Sequence, residues 1–180
     1  MQDASRLSAE DLRGLEAGAR TGAASRGVAS EGIVEIVELL YFAYRDFTGE
    51  ADALLARHGF GRAHHRALYF VNRHPGLPIA ELLDILKITK QSLSRVLKEL
   101  IAGGFIEQRP GANDRRQRLL YATATGSELA RTLTELQVQR IHAALNSLCE
   151  RDEAVVRAFL AAMVSDADRQ RVLALINTRA

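Results

Sequence analysis

Residues 89–123 are the segment that most constrains how this 180-residue chain can fold. The segment reads TKQSLSRVLKELIAGGFIEQRPGANDRRQRLLYAT. Its pattern predicts a helix that ends at two glycines, a strand over 105–109, a Pro-Gly turn and a second strand over 118–122. A helix followed by an arginine-tipped hairpin suits double-stranded DNA, because the helix fits the major groove and the hairpin can reach the neighbouring minor groove.

Positive charge is concentrated in the same part of the chain. The whole protein has 24 Lys and Arg and 22 Asp and Glu residues, a net charge of +2. Residues 87–118 contain eight of the basic and three of the acidic residues, which gives +5 and leaves −3 on the remainder. A basic segment in an otherwise mildly acidic protein is typical of a phosphate-binding surface.

Helical periodicity accounts for the residues before this segment. Apolar residues recur at helical spacing from Ile33 to Phe47, which predicts a long helix reaching about Arg57 and stopping at Gly59. A second helix is predicted over 62–73. Pro78 opens a third, which only Lys87 and Ile88 separate from the helix that Thr89 can cap. Two helices joined by so short a turn predict a helix-turn-helix.

The chain ends are also predicted to be helical. Thr123 begins a long helix, Asp152 can cap another, and Ser165-Asp166 separates that one from a last helix. The expected fold is mainly α with a small two- or three-stranded β-wing, a winged helix-turn-helix domain plus a helical dimerisation region. The predicted parts are a flexible N-terminal arm (1–29), a dimerisation helix (30–59), the winged domain (60–123) and C-terminal dimerisation helices (124–180). The terminal helices are so apolar that a second copy of the chain is the simplest cover for them.

Composition excludes several classes of protein. Cys149 is the single cysteine, so no intrachain disulfide can form, and no apolar run approaches the length of a membrane span. We therefore expect a cytoplasmic protein without a membrane partner. The sequence has no glycine-rich phosphate loop and no nucleophile motif, which argues against an enzyme and against a cofactor. A helical protein-interaction module that never binds DNA is the alternative, but it leaves the basic segment unexplained.

The wing carries the most specific family resemblance. Asp114, Arg116 and Thr123 stand at D-x-R…T spacing, and Gly126 completes T-x-x-G, while PIAELLDILKITKQSLSRVLKELIAGGFI follows the matching helix-turn-helix pattern. Over about residues 31–175 the chain resembles the MarR family of bacterial winged-helix transcriptional regulators, with Ala122 where the family usually has Leu. The resemblance implies a homodimer on a palindromic operator, often a repressor relieved by a small molecule, an oxidant or a metal.

The helix over 89–102 divides into an inward and an outward face. Its leucines and Val96 must face the core, which turns the polar residues outward. Arginine can bond guanine and glutamine can bond adenine at two points, so Gln91, Ser94 and Arg95 are predicted base readers. Thr89, Ser92 and Lys98 are better placed for phosphates. The predicted DNA-binding residues are Thr89, Lys90, Gln91, Ser92, Ser94, Arg95, Lys98, Arg115, Arg116 and Arg118.

The wing arginines have different predicted roles. One of Arg115 and Arg116 should enter the minor groove, and the other should pair with Asp114 and stiffen the hairpin. The family position of Arg116 implies that it is the partner of Asp114, which leaves Arg115 at the tip. Arg118 is open to a structural role.

A small-molecule effector would need a pocket, and five residues are candidates for one: Tyr41, Tyr44, Arg45, Tyr69 and Phe70. The resemblance implies pockets that accept aromatic acids, in which Arg45 could hold the carboxylate. Core aromatics beside a surface arginine are the competing interpretation.

Metal sensing and redox sensing are the remaining alternatives. His58, His64, His65 and His74 suggest zinc, but His64 and His65 are adjacent on a helix and point about 100° apart, and no cysteine is near. No metal site is therefore predicted, and one histidine is expected to pack against Tyr44 or Tyr69. Cys149 is expected to be a partly buried structural thiol, because the resemblance places sensing cysteines in the first long helix, where this chain has none.

Overall fold

The computed structural model describes residues 31–112, 114–148 and 152–178. The expectations for the N-terminal arm and for Cys149 lie outside these residues. The described chain forms two compact units, one of residues 38–143 and one of residues 31–37, 144–148 and 152–178. In chain order the elements are α1 (Glu31–Ala56), α2 (Arg62–Arg73), β1 (Leu77–Pro78), α3 (Ile79–Leu86), α4 (Lys90–Ala102), β2 (Ile106–Pro110), β3 (Arg118–Ala122), α5 (Ala124–Leu145), α6 (Asp152–Met163) and α7 (Asp166–Asn177).

The sheet has three antiparallel strands in the order β1-β3-β2. Leu120 in the central strand lies opposite Leu77 on one side and Gln108 on the other. The mainly helical fold with a small wing is therefore confirmed, with three strands. Strand β2 begins one residue later than predicted, because the Phe105 amide still bonds to the Leu100 carbonyl at 2.9 Å and belongs to the end of α4.

The core of the unit 38–143 is built from leucines and an isoleucine that the predicted helices and strands turn inward. Leu55, Leu68, Leu82, Leu93, Leu100, Ile106, Leu120 and Leu133 are at most 2 % exposed. Helix α4 contributes four buried residues at positions 93, 96, 97 and 100, as its periodicity predicts. The next residue, Ile101, is 36 % exposed, because one helical step of about 100° turns it away from Leu100.

The helix-turn-helix is tight at its turn and well capped. Helix α3 ends at Leu86, and the following Lys87 takes the left-handed conformation (φ 51°) and donates its amide to the Leu83 carbonyl at 3.0 Å. Thr89 then caps α4, as predicted, because its hydroxyl oxygen accepts the Ser92 amide at 3.1 Å. Gly104, at φ +75°, ends the helix in the region that favours glycine. These two ends fix the direction in which α4 leaves the core.

Hydrogen bonds join the two residues before β2 to the start of α5. The Thr123 amide donates to the Phe105 carbonyl at 3.1 Å, and the Thr123 hydroxyl donates to the Gly104 carbonyl at 2.6 Å. The same hydroxyl accepts the Gly126 amide at 3.0 Å. A Cβ on Gly126 would lie 1.9 Å from the Phe105 oxygen, so only glycine fits here. The T-x-x-G pattern thus ties the start of α5 to the base of the wing.

In the other unit, α6 and α7 meet at the predicted break. Ser165 precedes α7, and Arg169 donates to the carbonyls of Ala161, Ala162 and Val164 at 2.9–3.1 Å. One guanidinium thus bonds to three carbonyls at and just after the end of α6, where helical acceptors run out of amide partners. None of the helices in the described ranges has the length and apolar character needed to cross a membrane.

Candidate nucleic-acid interface

The outward face of α4 carries two neighbouring rows of polar side chains. Lys90, Ser94 and Lys98 follow one another at four-residue spacing, and Gln91 and Arg95 form the next row. All five residues are exposed, as predicted from the inward position of the leucines. Helix α4 therefore presents a continuous polar surface beside a fully apolar one.

A groove of about 940 Å³ separates this helix from the wing, defined here as β2, β3 and the loop between them. Lys90, Ser94 and Lys98 line it from α4, and Gln108, Arg116, Gln117 and Arg118 line it from the wing. Its floor is apolar and includes Ile79, Leu83, Leu93, Leu97 and Ile101. Four of the predicted cations thus stand on facing walls of one groove, an arrangement that can hold a string of phosphates between them.

The wing tip is closed by two hydrogen bonds. The Asp114 carboxylate accepts the Arg116 amide at 2.8 Å, and the Gly111 amide donates to the Gln117 carbonyl at 3.0 Å. The expectation that Asp114 would pair with the Arg116 guanidinium is corrected by this geometry, since no ion pair joins those two side chains within the described wing residues. An aspartate reaches the amide two residues ahead easily, as in an Asx turn. Both Arg115 and Arg116 therefore keep exposed guanidinium groups.

Two other basic residues of the segment are paired. Arg109 forms an ion pair with Glu107, and its guanidinium lies 4.4 Å from the centre of the Tyr121 ring. Lys87 bonds to Asp84 at 3.1 Å. The positive charge of the segment is therefore less uniform than the sequence suggests, and it is strongest on α4 and at the tip of the wing.

The predicted phosphate contacts at the start of α4 also serve the helix itself. The Thr89 hydroxyl donates to the Ser92 hydroxyl at 2.9 Å while it accepts the Ser92 amide. Both side chains remain exposed. Their oxygens fix the first turn, so that the remaining free amides of α4 point outward at its positive end.

Arg95 is part of a chain of hydrogen bonds that the sequence did not reveal. Its Nε donates to Glu99 at 2.9 Å, and the second oxygen of Glu99 lies 2.6 Å from Nε2 of His64 on α2. Arg95 first and His64 second lower the pKa of the Glu99 carboxyl below its usual value, because both bond to its charged form. Glu99 is therefore a carboxylate on a helix face that otherwise carries cations.

A second cavity, of about 500 Å³, is lined by aromatic and basic residues of α1, α2 and α5. We call it the aromatic cavity, and its lining is Tyr44, Phe47, Thr48, Arg62, His65, Arg66, Tyr69, Phe70, Thr134, Gln137, Val138 and Ile141. Tyr44, Tyr69 and Phe70 were predicted to come together in a pocket, and they do lie here.

The other two predicted pocket residues lie elsewhere. Arg45 is one helical step from Tyr44, which turns it by about 100° towards solvent, where it bonds to Asp46 at 2.7 Å. Tyr41 is one turn before the cavity begins and is 72 % exposed. Arg62 and Arg66 supply the cavity's positive charge instead. They share the spacing i, i+3, i+4, i+7 with His65 and Tyr69, so helical periodicity could have identified them.

The cavity's polar groups differ in how they are held. Arg62 bonds to Asp52 at 2.8 Å and lies 5.2 Å from the Tyr44 ring, whereas Arg66 donates to the Leu86 carbonyl at 3.2 Å. His65 is 8 % exposed, and its burial lowers its pKa below the usual value. His65 lines the cavity beside Tyr44 and Tyr69, the two tyrosines with which a histidine was expected to pack.

The four histidines considered for zinc do not form a cluster. Throughout 31–112, 114–148 and 152–178, no three His, Cys, Asp or Glu residues are placed to hold a metal ion together. The ring of His58 packs on Phe60 and Phe105, and that of His64 stacks on Phe60 with 4.8 Å between ring centres.

Comparison with known proteins places this interface in a family. The sequence profile described as "MarR family" matches residues 58–117, from just before α2 to the wing. The HTH-type transcriptional regulator PetP of Rhodobacter capsulatus is 45% identical over 134 residues, which are 74% of this chain and 81% of PetP.

Two solved structures share the fold at low identity. S. aureus MepR in its DNA-binding conformation is 20% identical, covers 73% of this chain and 98% of its own, and gives a TM-score of 0.64. Streptococcus pneumoniae FabT in complex with DNA is 18% identical, covers 73% and 94%, and also gives 0.64. With sequence and fold in agreement, the chain belongs to the MarR family of winged helix-turn-helix, DNA-binding transcriptional regulators, and these are not enzymes.

Proposed function

We propose that this regulator binds a palindromic operator as a homodimer in the cytoplasm and reads bases with α4. The observation that carries the proposal is the groove between α4 and the wing, which has cations on both walls. Residues 60–123 are the DNA-binding part, and residues 30–59 and 124–180 hold the two copies together. S. aureus MepR and Streptococcus pneumoniae FabT, whose folds this chain shares, were solved in a DNA-binding conformation and with DNA.

Base reading belongs to the outward rows of α4. Arg95 is suited to a guanine and Gln91 to an adenine, because each can make two bonds to one base edge in the major groove. Ser94 lies between them and reaches whichever base edge faces it. These base contacts require α4 to lie deep in the major groove of DNA, and the reading side chains are exposed to solvent, as such contacts need.

Phosphates are held by the residues around the readers. Lys90, Lys98, Arg116 and Arg118 line the groove on its two sides, and Thr89 and Ser92 stand at the positive end of α4. Arg115 lies at the exposed tip of the wing and enters the adjacent minor groove, where the negative potential favours a guanidinium. Phosphate contacts fix the register and leave the choice of sequence to α4.

Homodimerisation covers an apolar surface that the single chain leaves exposed. Nine large apolar residues of α1, between Ile33 and Tyr44, are each at least 42 % exposed. Val155, Phe159, Leu160, Met163 and Ile176 near the C-terminus are also exposed, by 46 % or more. Large exposed apolar patches are rare on monomeric proteins, and a second copy of the chain offers a matching surface for these side chains. A two-fold dimer also places two α4 helices about one duplex turn apart.

Regulation by a small aromatic acid is proposed at the aromatic cavity. Its volume falls in the usual range for ligand sites, and its lining combines tyrosine and phenylalanine rings with Arg62 and Arg66. A carboxylate would bond to a guanidinium while the ring of the acid packs among the aromatic side chains.

The position of the operator decides between repression and activation. A dimer bound over a promoter represses by occlusion, whereas a dimer bound upstream of it can activate.

The DNA-binding assignment is tested by two substitutions with different expected signatures. The operator is first selected from genomic fragments by the wild-type protein. Arg95→Ala should then lose about 1–3 kcal/mol of binding free energy and relax the preference at one position per half-site. Lys98→Ala should weaken binding to all sequences alike and reduce the salt slope by about one. A change of base preference in Lys98→Ala, or none in Arg95→Ala, would contradict the division between readers and phosphate contacts.

The dimer and the effector site need separate tests. A chain truncated before Ser147 should sediment as a monomer, and a stable dimer would show that the C-terminal helices are not the interface.

Benzoate, the simplest aromatic acid, should bind the intact protein in calorimetric titration, and its affinity should be lower for the Arg66→Ala variant. Arg45→Ala is the matched control, because Arg45 is exposed and does not line the cavity. An equal loss of benzoate affinity in both variants would show that the aromatic cavity is not the binding site.

A further inference from the structure

We propose that Glu99 is a positioning residue that orients Arg95 for two-point recognition of guanine, and that His64 holds Glu99 in place for this purpose. The inference rests on the proposed role of Arg95 as a base reader. It adds a determinant of specificity that lies outside the predicted contact residues and that itself touches no DNA.

The Arg95 guanidinium is bonded on one side only. Its Nε donates to Oε1 of Glu99 at 2.9 Å, and within the described residues no hydrogen bond engages its two terminal nitrogens. The side chain is 81% exposed. Guanine offers O6 and N7 as adjacent acceptors, which two terminal N–H groups can satisfy together. Glu99 therefore bonds to Nε, which this end-on contact does not use, and leaves the two terminal nitrogens of Arg95 available for guanine.

Glu99 is itself fixed from the core side. Its Oε2 lies 2.6 Å from Nε2 of His64, whose side chain is only 12% exposed. The Gly61 amide donates to Nδ1 of the same ring at 3.1 Å, so Nδ1 is an acceptor and Nε2 carries the proton that bonds to Glu99. Stacking on Phe60, with planes 12° apart, fixes the ring's orientation. Both oxygens of Glu99 are thus engaged, which restrains the orientation of the carboxylate.

Stability of the fold does not explain the Arg95–Glu99 pair. The Arg95–Glu99 pair is exposed to solvent, where ion pairs contribute little to folding. A carboxylate on the DNA-facing helix also repels phosphates, so it weakens binding to every sequence. What Glu99 provides is orientation, since an arginine already held in its binding geometry loses less conformational freedom on contact. Higher selectivity at lower general affinity is the expected result.

The experiment compares Glu99→Gln, Arg95→Ala and the double variant with the wild type. Each is titrated, at one salt concentration, against the selected operator, against operators changed at each position in turn, and against non-specific duplex. Glu99→Gln should reduce the preference for guanine at the Arg95 position by about tenfold, the cost of one unfixed long side chain. Preferences elsewhere should be unchanged, and non-specific affinity should be equal or higher.

Matched variants separate orientation from charge and from folding. Glu128→Gln removes the same charge and a similar exposed arginine pair on α5, and it should leave all base preferences unchanged. His64→Phe keeps a ring to stack on Phe60 but cannot donate to Glu99, so it should lose part of the guanine preference. His64→Gln keeps both a donor and an acceptor and should retain more of that preference than His64→Phe.

The double variant decides whether Glu99 acts through Arg95. In the Arg95→Ala background, Glu99→Gln should leave base preference unchanged. The proposal is overturned if Glu99→Gln lowers affinity equally for all sequences, or if it alters preference without Arg95. If Arg95→Ala alone changes no preference, then the assignment of Arg95 as a reader has failed, a different result from failure of the Glu99 proposal.

Discussion

Replacement of Gly126 by alanine tests how strictly the wing and α5 are joined. Gly126 is buried in the first turn of α5, where a Cβ would lie 1.9 Å from the Phe105 oxygen and 2.9 Å from its carbon. Real Cβ atoms do not approach other atoms within 3.0 Å. The base of the wing must therefore move away from α5, and the Phe105 carbonyl is also the acceptor of the Thr123 amide at 3.1 Å.

The expected loss of stability has two parts and one offset. Forcing a methyl group into a packed contact costs about 1–3 kcal/mol. Loss of the Thr123–Phe105 backbone bond costs about 0.5–1.5 kcal/mol. Alanine is favoured over glycine inside a helix by up to about 1 kcal/mol. Gly126→Ala should therefore lower the free energy of unfolding by about 2 kcal/mol, a large fraction of a domain's stability.

The assay is urea unfolding followed by far-ultraviolet circular dichroism, at one protein concentration because a dimer's stability depends on it. Gly49→Ala is the control, since Gly49 lies within α1 with open space around it. There the same substitution should raise stability by about 0.5–1 kcal/mol. The reasoning is refuted if Gly126→Ala is as stable as the wild type, or if both variants lose stability equally.

Two further predictions concern the cap of α4 and a buried histidine. Thr89→Ala removes the oxygen that accepts the Ser92 amide and should lower the free energy of unfolding by about 1 kcal/mol in the same assay. Thr89→Ser keeps that oxygen and should be close to the wild type. Equal losses in the two variants would argue against the cap. Burial lowers the pKa of His65, so the unfolded chain binds protons more readily and stability should fall as the pH drops below about 6.5. His65→Gln should reduce this loss of stability between pH 7.5 and 5.5. An unchanged pH profile would contradict the assigned cause. Burial also lowers the pKa of His74, which should account for part of the remaining loss.

The sequence determined the elements and the faces they present. The apolar period of α4 placed Leu93, Val96, Leu97 and Leu100 in the core and so turned the polar row outward. Turn residues bounded β2 and β3 to within one position, although they did not reveal β1, and the wing pattern identified the family that PetP of Rhodobacter capsulatus supports. Such features depend on a few neighbouring residues, so they can be recognised in a single sequence.

Only the tertiary structure decided which side chains meet. His64 and Glu99 are 35 positions apart. Arg62 rather than Arg45 lines the aromatic cavity, where it contacts Asp52 and Tyr44 of α1. Likewise the Asp114 carboxylate turned out to hold the Arg116 amide and not its guanidinium. Periodicity gives the direction of a side chain around its own helix, but what stands opposite depends on how distant elements pack, and that information is spread over the whole core.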